Sequence, residues 1–346
     1  CRTGKCDMGG KQVKKHNYMV DFCRFLAIGI IMTHHAYIMG YTGDYPFARG
    51  WAWVDYFFML TGFFTIAHFK RNVPEAGTYG KTAVDYTLNK FKSFMPLAIV
   101  CILIQYIVVV YQSHPTDWVA TLRGFINMPF EMSMLSSIFG FNPNLSPLWF
   151  VAAMFITLPI LCYFVTRFAD AWYILAFLLP MIYYGKYGVN TVRDWPMEMY
   201  RAFACMAFGT FCYFVAERIK EKQLHTFGKI ILTILEVGSL ILAVDLTRKP
   251  EPELVFLVLL FPIQLSIMMS GESFTTKINN NALNIVLKWL GRLSMPMFIL
   301  HWLVGTFISI YAPLGRIRLV MYYGITIALS AVYVCISSFV KQKARR

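Results

Sequence analysis

The hydrophobic residues of the chain fall into long continuous runs that are separated by short polar segments. Runs of roughly 17 to 25 apolar residues are long enough to cross a hydrocarbon core of about 30 Å as an α-helix. In lipid, only helices and closed barrels satisfy all their backbone hydrogen bonds, and continuous runs are typical of helices. The pattern therefore predicts an all-α polytopic membrane protein with about ten transmembrane helices. They cover residues 18–40, 51–69, 93–112, 147–167, 170–185, 199–217, 229–247, 253–270, 289–311 and 318–340.

The composition indicates the same class of protein. Hydrophobic residues make up 58% of the chain and charged residues only 14%, whereas a soluble domain carries about 25% charged residues. The net charge of +14 does not indicate a nucleic-acid partner, because the cations lie between the apolar runs and no recognition motif accompanies them. The cysteines lie mostly in or beside apolar runs and show no zinc-ligand spacing and no disulfide framework, so we expect no metal site.

The chain divides into three regions. Residues 1–17 form a polar basic leader that is either added or a trimmed end, because the chain starts at Cys1 rather than at Met. Residues 18–340 form the membrane domain, and residues 341–346 form a basic cytoplasmic tail. We find no internal repeat and no separate soluble domain, so any chemistry falls to the membrane helices and their loops.

The distribution of basic residues predicts the orientation. If the N-terminus lies inside, the inner segments hold most of the 32 lysine and arginine residues. This bias is typical of cytoplasmic segments. The sequence therefore predicts a multi-pass protein of the cell (inner) membrane, with an even number of crossings and both termini in the cytoplasm.

The longest outward connection, residues 112–146, is too long for a simple link. It has a semi-apolar middle over residues 130–141 and is rich in proline, with Pro115, Pro129, Pro143 and, just beyond it, Pro147. Connections of this length commonly form a lid, a binding loop or a re-entrant segment.

Charged residues inside the first run are the first candidates for function. An ionised side chain at mid-membrane costs at least about 2.5–3.5 kcal/mol, so such residues form a short list of functional candidates. The alternative is that Asp21 and Arg24 only pair near the interface, where arginine can reach water, and that His35 is a packed residue with an interhelical hydrogen bond. Arg24 and His35 are almost three whole helical turns apart and share one face, about 16 Å apart along the axis. Asp21 lies one turn before Arg24, within reach of an ion pair. His34 is rotated away from this face, and we interpret it as structural.

Other polar residues lie in later runs. Asp55 and Thr61 lie in the second run, Trp149 at the start of the fourth, Arg201 at the start of the sixth, and His301 in the middle of the ninth. Each of them alone can be explained by helix packing or by a local hydrogen bond. If they converge on one cavity, they form a site.

Four short motifs resemble those of the acyltransferase 3 family, the bacterial integral-membrane O-acyltransferases. The spacing from Arg24 to His35 is similar to an arginine and a histidine in that family's first helix. A second motif, FFxxSG, is similar to Phe57, Phe58, Thr61 and Gly62, with Thr in place of Ser. The Leu-Trp pair before a middle helix resembles Leu148 and Trp149. A late run that ends in histidine resembles Gly291, Ser294, Phe298 and His301.

The resemblance implies transfer of an acyl group, most often acetyl, from cytoplasmic acyl-CoA to a hydroxyl of a cell-surface glycan outside the membrane. Acetyl-CoA is then a co-substrate, and no permanently bound cofactor is implied. Membrane lipid surrounds the protein, and a homo-oligomer is left open. Two interpretations compete with this one: a small-molecule transporter or lipid-linked carrier, and a non-catalytic scaffold or sensor.

Roles for the candidate residues follow as hypotheses. His35 acts as a general base on the acceptor hydroxyl or accepts the acyl group itself, since imidazole has an ordinary pKa of about 6.5 and is basic at neutral pH. Arg24, held by Asp21, orients the donor or stabilises charge on the thioester oxygen. His301 or Asp55 orients His35 or binds sugar. The remaining candidates bind the substrates: Thr61, Trp149 and Arg201 by direct contact, and Lys90 and Lys92 through the CoA phosphates.

Overall fold

The computed structural model describes residues 16–40, 46–113, 117–136, 138–139, 143–189, 196–248, 251–278, 280–312 and 315–343. Most of the predicted leader and the last three residues of the predicted tail lie outside this range. Pro115 and part of the segment 130–141 in the long outward connection also lie outside it.

The described residues form eleven α-helices and no strand. The helices are α1 (Tyr18–His34), α2 (Trp53–Phe69), α3 (Tyr79–Ser113), α4 (Trp118–Met132), α5 (Leu148–Arg167), α6 (Ala169–Tyr187), α7 (Met197–Glu221), α8 (Thr226–Leu246), α9 (Leu257–Ser270), α10 (Asn281–Tyr311) and α11 (Arg316–Lys343). Short 3-10 segments extend some of them, notably His35–Met39 directly after α1.

The prediction of an all-α polytopic membrane protein is confirmed. Every predicted run coincides with a helix, and α4 is additional. Within the described residues, eight helical stretches are long and apolar enough to cross a membrane. The helices α2, with 17 residues, and α6 match predicted runs but are not among the eight.

Polar caps show why several helices begin where they do. Asn17 accepts a hydrogen bond from the Met19 amide at the start of α1, and Asn280 accepts one from the Leu283 amide at the start of α10. Such side chains satisfy amide groups that have no partner inside the helix. The two helices that carry the predicted histidines therefore have defined starting points.

The helices have two orientations relative to one another. Helices α1 and α10 run parallel, since Asp21 packs against Gly291 and, further along both segments, His35 contacts His301. Helices α2 and α7 form a second parallel pair. We call the end of the bundle where α1 begins the basic end, because most of the inter-helix lysines and arginines lie there. That this end faces the cytoplasm stays a prediction.

Helix α4 shows what the long outward connection contains. It packs along the second half of α3, where Tyr106 contacts Gly124 and Phe125. The chain then returns toward α5, and the buried carboxylate of Glu131 binds the backbone just before α5. This carboxylate accepts hydrogen bonds from the backbone amides of Asn144 at 3.0 Å and Leu145 at 2.7 Å. The described part of the connection therefore contains a helix that packs against the bundle.

The closest helix contact joins α2 and α7. A Cβ atom added to Gly62 would overlap the carbonyl group of Met206, and one added to Gly209 would overlap the carbonyl group of Met59. Because glycine has no side chain, the backbones of α2 and α7 can touch at these two positions, as they do at small residues in other pairs of membrane helices. Gly62, the glycine of the motif that resembles FFxxSG, therefore has a packing role.

This contact makes Gly62→Ala a sharp test of the fold. We expect the variant to lose about 1–3 kcal/mol or more of stability, because the added methyl group must push the two helices apart. Thermal unfolding of the purified protein in detergent measures the loss. The matched control is Gly238→Ala in α8, where an added Cβ meets no atom within 4 Å. Equal melting temperatures for the two variants would contradict the close contact.

Candidate functional site

A hydrogen-bonded pair of histidines joins α1 to α10. His35 Nδ1 lies 3.1 Å from His301 Nε2, and both residues are buried, with exposed fractions of 6% and 0%. The pair lies where α1 changes into the 3-10 segment His35–Met39. Of the two orienting partners predicted for His35, the structure brings His301 into contact.

The hydrogen bonds assign the protonation of both rings. His301 Nδ1 lies 2.8 Å from the Phe298 carbonyl oxygen and 3.2 Å from that of Met297. Carbonyl oxygens only accept, so His301 Nδ1 carries the hydrogen and its Nε2 accepts. His35 Nδ1 must then donate to His301, which places the basic lone pair of neutral His35 on Nε2. The pair fixes both the ring orientation and the reactive nitrogen of His35.

His34 has different surroundings from His35. Its Nδ1 lies 2.7 Å from the Ala48 carbonyl oxygen, and its ring packs beside His35 with 4.9 Å between the centroids. Gly50 lies against its Cβ atom. These contacts are those of a packing residue that connects α1 to the segment before α2.

A cavity of about 340 Å³ lies between α1, α2, α3, α5 and α10. Its size falls at the lower end of the range for small-molecule sites, about 300–1,000 Å³. Most of the lining is apolar and aromatic, and the polar exceptions include three predicted site residues. The lining comprises Arg24, Phe57, Thr61, Lys90, Ser93, Phe94, Phe150, Val151, Met154, Phe155, Ser294, Met295 and Phe298.

The expected close ion pair between Asp21 and Arg24 does not form among the described residues, although the Asp21 carboxylate is near enough to act electrostatically on Arg24. Among the described residues, the Asp21 carboxylate instead meets His16, with 2.5 Å between Oδ2 and Nε2. It packs on Gly291 of α10, where a Cβ atom would overlap it. The side chain of Arg24 lines the cavity. One turn of helix brings the two residues close, but their side chains point to different neighbours.

Thr61 and Lys90 lie at the cavity, whereas Lys92 does not. The Thr61 hydroxyl donates to the Phe57 carbonyl oxygen at 2.9 Å, as threonines in membrane helices commonly do. The Lys90 ammonium lies over the Tyr86 ring, 5.1 Å from its centroid. Lys92 is exposed and takes no part in the lining, because successive residues of a helix point in different directions.

His35 does not line the cavity, contrary to the expectation that it shares a chamber with Arg24. Phe298 lies between them: it lines the cavity, and its ring centroid is 5.9 Å from that of His301. Phe150 and Phe57 pack against Phe298 at 5.4 Å and 6.5 Å. A single layer of aromatic rings therefore separates the cavity from the histidine pair.

Asp55 and Arg201 form a buried ion pair in which Arg201 Nε donates to Asp55 Oδ1 at 2.6 Å. The Tyr184 hydroxyl donates to the second carboxylate oxygen at 3.1 Å. The Arg201 guanidinium lies near the rings of both Trp51 and Trp149, 5.5 Å and 5.7 Å from their centroids. Three predicted binding residues thus form one cluster, at the end of the bundle opposite the basic end. Asp55 is engaged there and does not orient His35.

The Arg201 cluster leaves one polar atom for a ligand. Arg201 Nη2 is buried and has no hydrogen-bond partner. A buried donor without a partner costs free energy, and such groups are common at binding sites. A hydroxyl or carboxylate oxygen of a substrate could accept from this atom. In the described part of the chain, no group of three or more His, Cys, Asp or Glu side chains is placed to hold a metal ion.

Sequence reasoning missed Arg318. Its buried guanidinium donates to the carbonyl oxygens of Met39 and Ala312, which end the segment after His35 and the helix that carries His301. It thereby fixes the ends of both histidine-bearing segments against α11. The sequence did contain a signal for Arg318. A positive charge in the first turn of a helix is disfavoured by the helix dipole, so an arginine at that position indicates a specific interaction elsewhere.

The ion pair predicts a specific pattern of stability. Asp55→Ala or Arg201→Ala alone should destabilise the protein by about 3–5 kcal/mol, because each leaves a buried charge without its partner. The double variant Asp55→Leu/Arg201→Met should recover much of that loss, since it removes both charges. Thermal unfolding in detergent measures all three variants. A double variant less stable than either single one would show that the two charges are not coupled.

Comparison with known proteins identifies the family. The sequence matches the acyltransferase 3 family, described as Acyltransferase domain, over residues 17–338. Neither a curated protein nor a solved structure matches the chain. The family match covers nearly the whole chain and includes every helix that contributes to the cavity, the histidine pair and the Arg201 cluster. The protein therefore belongs to the acyltransferase 3 family and is a multi-pass membrane acyltransferase.

Proposed function

We propose that the protein transfers a short acyl group, such as acetyl, from acyl-CoA in the cytoplasm to a hydroxyl of a cell-surface glycan on the other side of the cell membrane. One observation carries this proposal. A cationic cavity, an aromatic layer and an oriented histidine pair follow one another along α1 and α10. This arrangement suits two substrates that approach from opposite ends of the bundle.

The donor suits the cavity. Arg24 and Lys90 supply positive charge that attracts the phosphates of CoA. The apolar remainder of the lining suits the less polar pantetheine arm and the acyl group. Ser93 and Thr61 add hydroxyl groups along the path.

The separation of Arg24 from His35 supports one of the two roles considered for Arg24. The residues are eleven positions apart, which corresponds to about 16 Å along a helix. This exceeds the length of an arginine side chain. Arg24 therefore orients the donor, while bond making takes place near His35, and the thioester reaches His35 through the layer of Phe298.

The acceptor suits the Arg201 cluster. Trp51 and Trp149 offer flat ring surfaces of the kind that pack against sugar rings, and Arg201 Nη2 can donate to a sugar oxygen. Gly50, next to Trp51, packs against His34. The cluster is thus continuous with the segment that contains His35, so a bound sugar lies close to the base.

The chemical step follows from the assigned proton positions. The acceptor oxygen bonds to the thioester carbonyl carbon while its proton passes to His35 Nε2. The tetrahedral intermediate then collapses, the carbon–sulfur bond breaks, and the proton on His35 passes to the departing CoA sulfur. His301 accepts a hydrogen bond from His35 Nδ1 throughout and stabilises the charged imidazolium. The transporter alternative requires none of this oriented pairing.

The neighbouring histidines provide a matched test of this function. His35→Ala should reduce acyl transfer by roughly 100- to 10,000-fold, because it removes the general base. His34→Ala should retain activity within a few-fold. A deletion strain complemented with each variant, followed by measurement of ester-linked acetate on its surface glycans, gives the result in cells. Release of thiol from labelled acetyl-CoA by the purified protein gives it in vitro. Equal activity in both variants would refute the proposed base, and no transfer by the unaltered protein would refute the function.

The two lysines provide a second matched test, of the donor site. Lys90→Ala should raise the KM for acetyl-CoA roughly tenfold, which corresponds to about 1.4 kcal/mol for one lost charge contact. Lys92→Ala, which changes an exposed lysine two residues away, should stay within about twofold, because solvent screens an exposed charge. Initial rates at several acetyl-CoA concentrations separate KM from kcat. Equal effects of the two substitutions would indicate only general attraction by the basic end.

A further inference from the structure

We propose that Phe155 sets the length of the acyl chain that the protein accepts. Its ring forms the wall between the donor cavity and a second, apolar space. This inference rests on the proposed function, and it identifies the residue that determines donor specificity at the same site.

The second space is a groove of about 400 Å³ between α3, α5 and the segment that follows α4. It is lined by Leu88, Leu135, Ile138, Ile156 and other mainly apolar residues. Leu88, Leu135 and Ile138 are more than one third exposed, so the groove opens on the outer face of the bundle. The groove and the donor cavity are thus of similar size.

Phe155 is the residue that lines both spaces. Its ring packs edge-on against Phe91 and Phe94, with centroids 5.4 Å and 6.2 Å away. Phe91 lines only the groove, and Phe94 lines only the cavity. The three rings form a wall between the two spaces, with Phe155 at its centre.

The chemistry of the groove suits an alkyl chain. Its two hydroxyl groups bond within their own helical turns: Thr87 donates to the Ala83 carbonyl oxygen at 2.9 Å, and Ser133 to that of Phe130 at 3.1 Å. No charged residue contributes to the lining. An alkyl chain that entered the groove would therefore meet apolar atoms and polar groups that already have partners.

In the unaltered protein, this wall limits the length of the acyl chain that the donor can carry. While the donor is loaded into the cavity, before its thioester passes the layer of Phe298, a short acyl group fits within the cavity, whereas a longer chain meets the Phe155 ring. Removal of that ring would join the cavity to the groove and give the chain an apolar path toward the outer face. One methylene group more than a hydrophobic pocket can hold changes the ratio of kcat/KM between two substrates by about 10- to 200-fold.

The test compares donors of different chain length with Phe155→Ala. The purified full-length protein in nanodiscs receives acetyl-CoA, butyryl-CoA or octanoyl-CoA, with surface glycan from the deletion strain as acceptor. We expect the unaltered protein to favour acetyl over octanoyl by at least about 100-fold in kcat/KM. Phe155→Ala should reduce that preference at least tenfold, chiefly through improved use of octanoyl-CoA.

Two further variants keep the result interpretable. Ile156→Ala enlarges the groove but leaves the wall in place, so its donor preference should match that of the unaltered protein. Phe155→Leu makes a smaller opening and should shift the preference toward butyryl-CoA, even if the alanine variant does not fold. The ratio between donors is measured within one preparation, so it does not depend on the folded fraction.

Each outcome has a distinct meaning. An unchanged donor ratio in both Phe155 variants, or equal use of octanoyl-CoA and acetyl-CoA by the unaltered protein, would overturn the inference while acyl transfer stands. Absence of transfer from every donor by the unaltered protein would overturn the proposed function, and the inference with it.

Discussion

The hydrogen bond between His35 and His301 is the interaction on which the candidate site depends. It joins two helices that are far apart in the sequence, fixes the tautomer of both rings and places the basic nitrogen of His35. It also requires that α1 and α10 keep their relative position. Two features serve that requirement: Gly291 receives the Asp21 carboxylate at one end of the pair, and Arg318 binds backbone carbonyls at the other.

The buried charges show how the bundle accommodates polar groups in an apolar environment. Asp55 and Arg201 neutralise each other, and two indole rings lie near the guanidinium. Unpaired charges at this depth are strongly unfavourable. Arg24 and Lys90 instead line the cavity. Glu131 and Arg318, which lie away from the cavity, bond to backbone amides and backbone carbonyl oxygens. These buried charges of the bundle are therefore accommodated in three ways: by an ion pair, at a cavity, or by backbone groups.

The sequence was sufficient to predict ten of the eleven described helices and to mark several polar residues that lie together in the candidate site. Long apolar runs determine where membrane helices form, and buried charges are rare enough to mark candidates. It could not predict which side chains meet. The partner of Asp21 proved to be His16 rather than Arg24, and Lys92 lies away from the cavity. These outcomes depend on rotamers and on the rotation of each helix against neighbours that are distant in sequence. Helical periodicity does not contain that information.

The layer of Phe57, Phe150 and Phe298 has a consequence for the energy metabolism of the cell. An enzyme that joins reactants from two aqueous compartments, as we propose here, risks becoming a pore. Rings that fill the passage leave no continuous file of water, and narrow apolar constrictions block ions by dewetting. A slender thioester arm can pass such a barrier by displacing a ring, whereas a hydrated proton or sodium ion cannot. In the proposed function, the aromatic residues that separate the donor from the base would also protect the electrochemical gradient across the membrane.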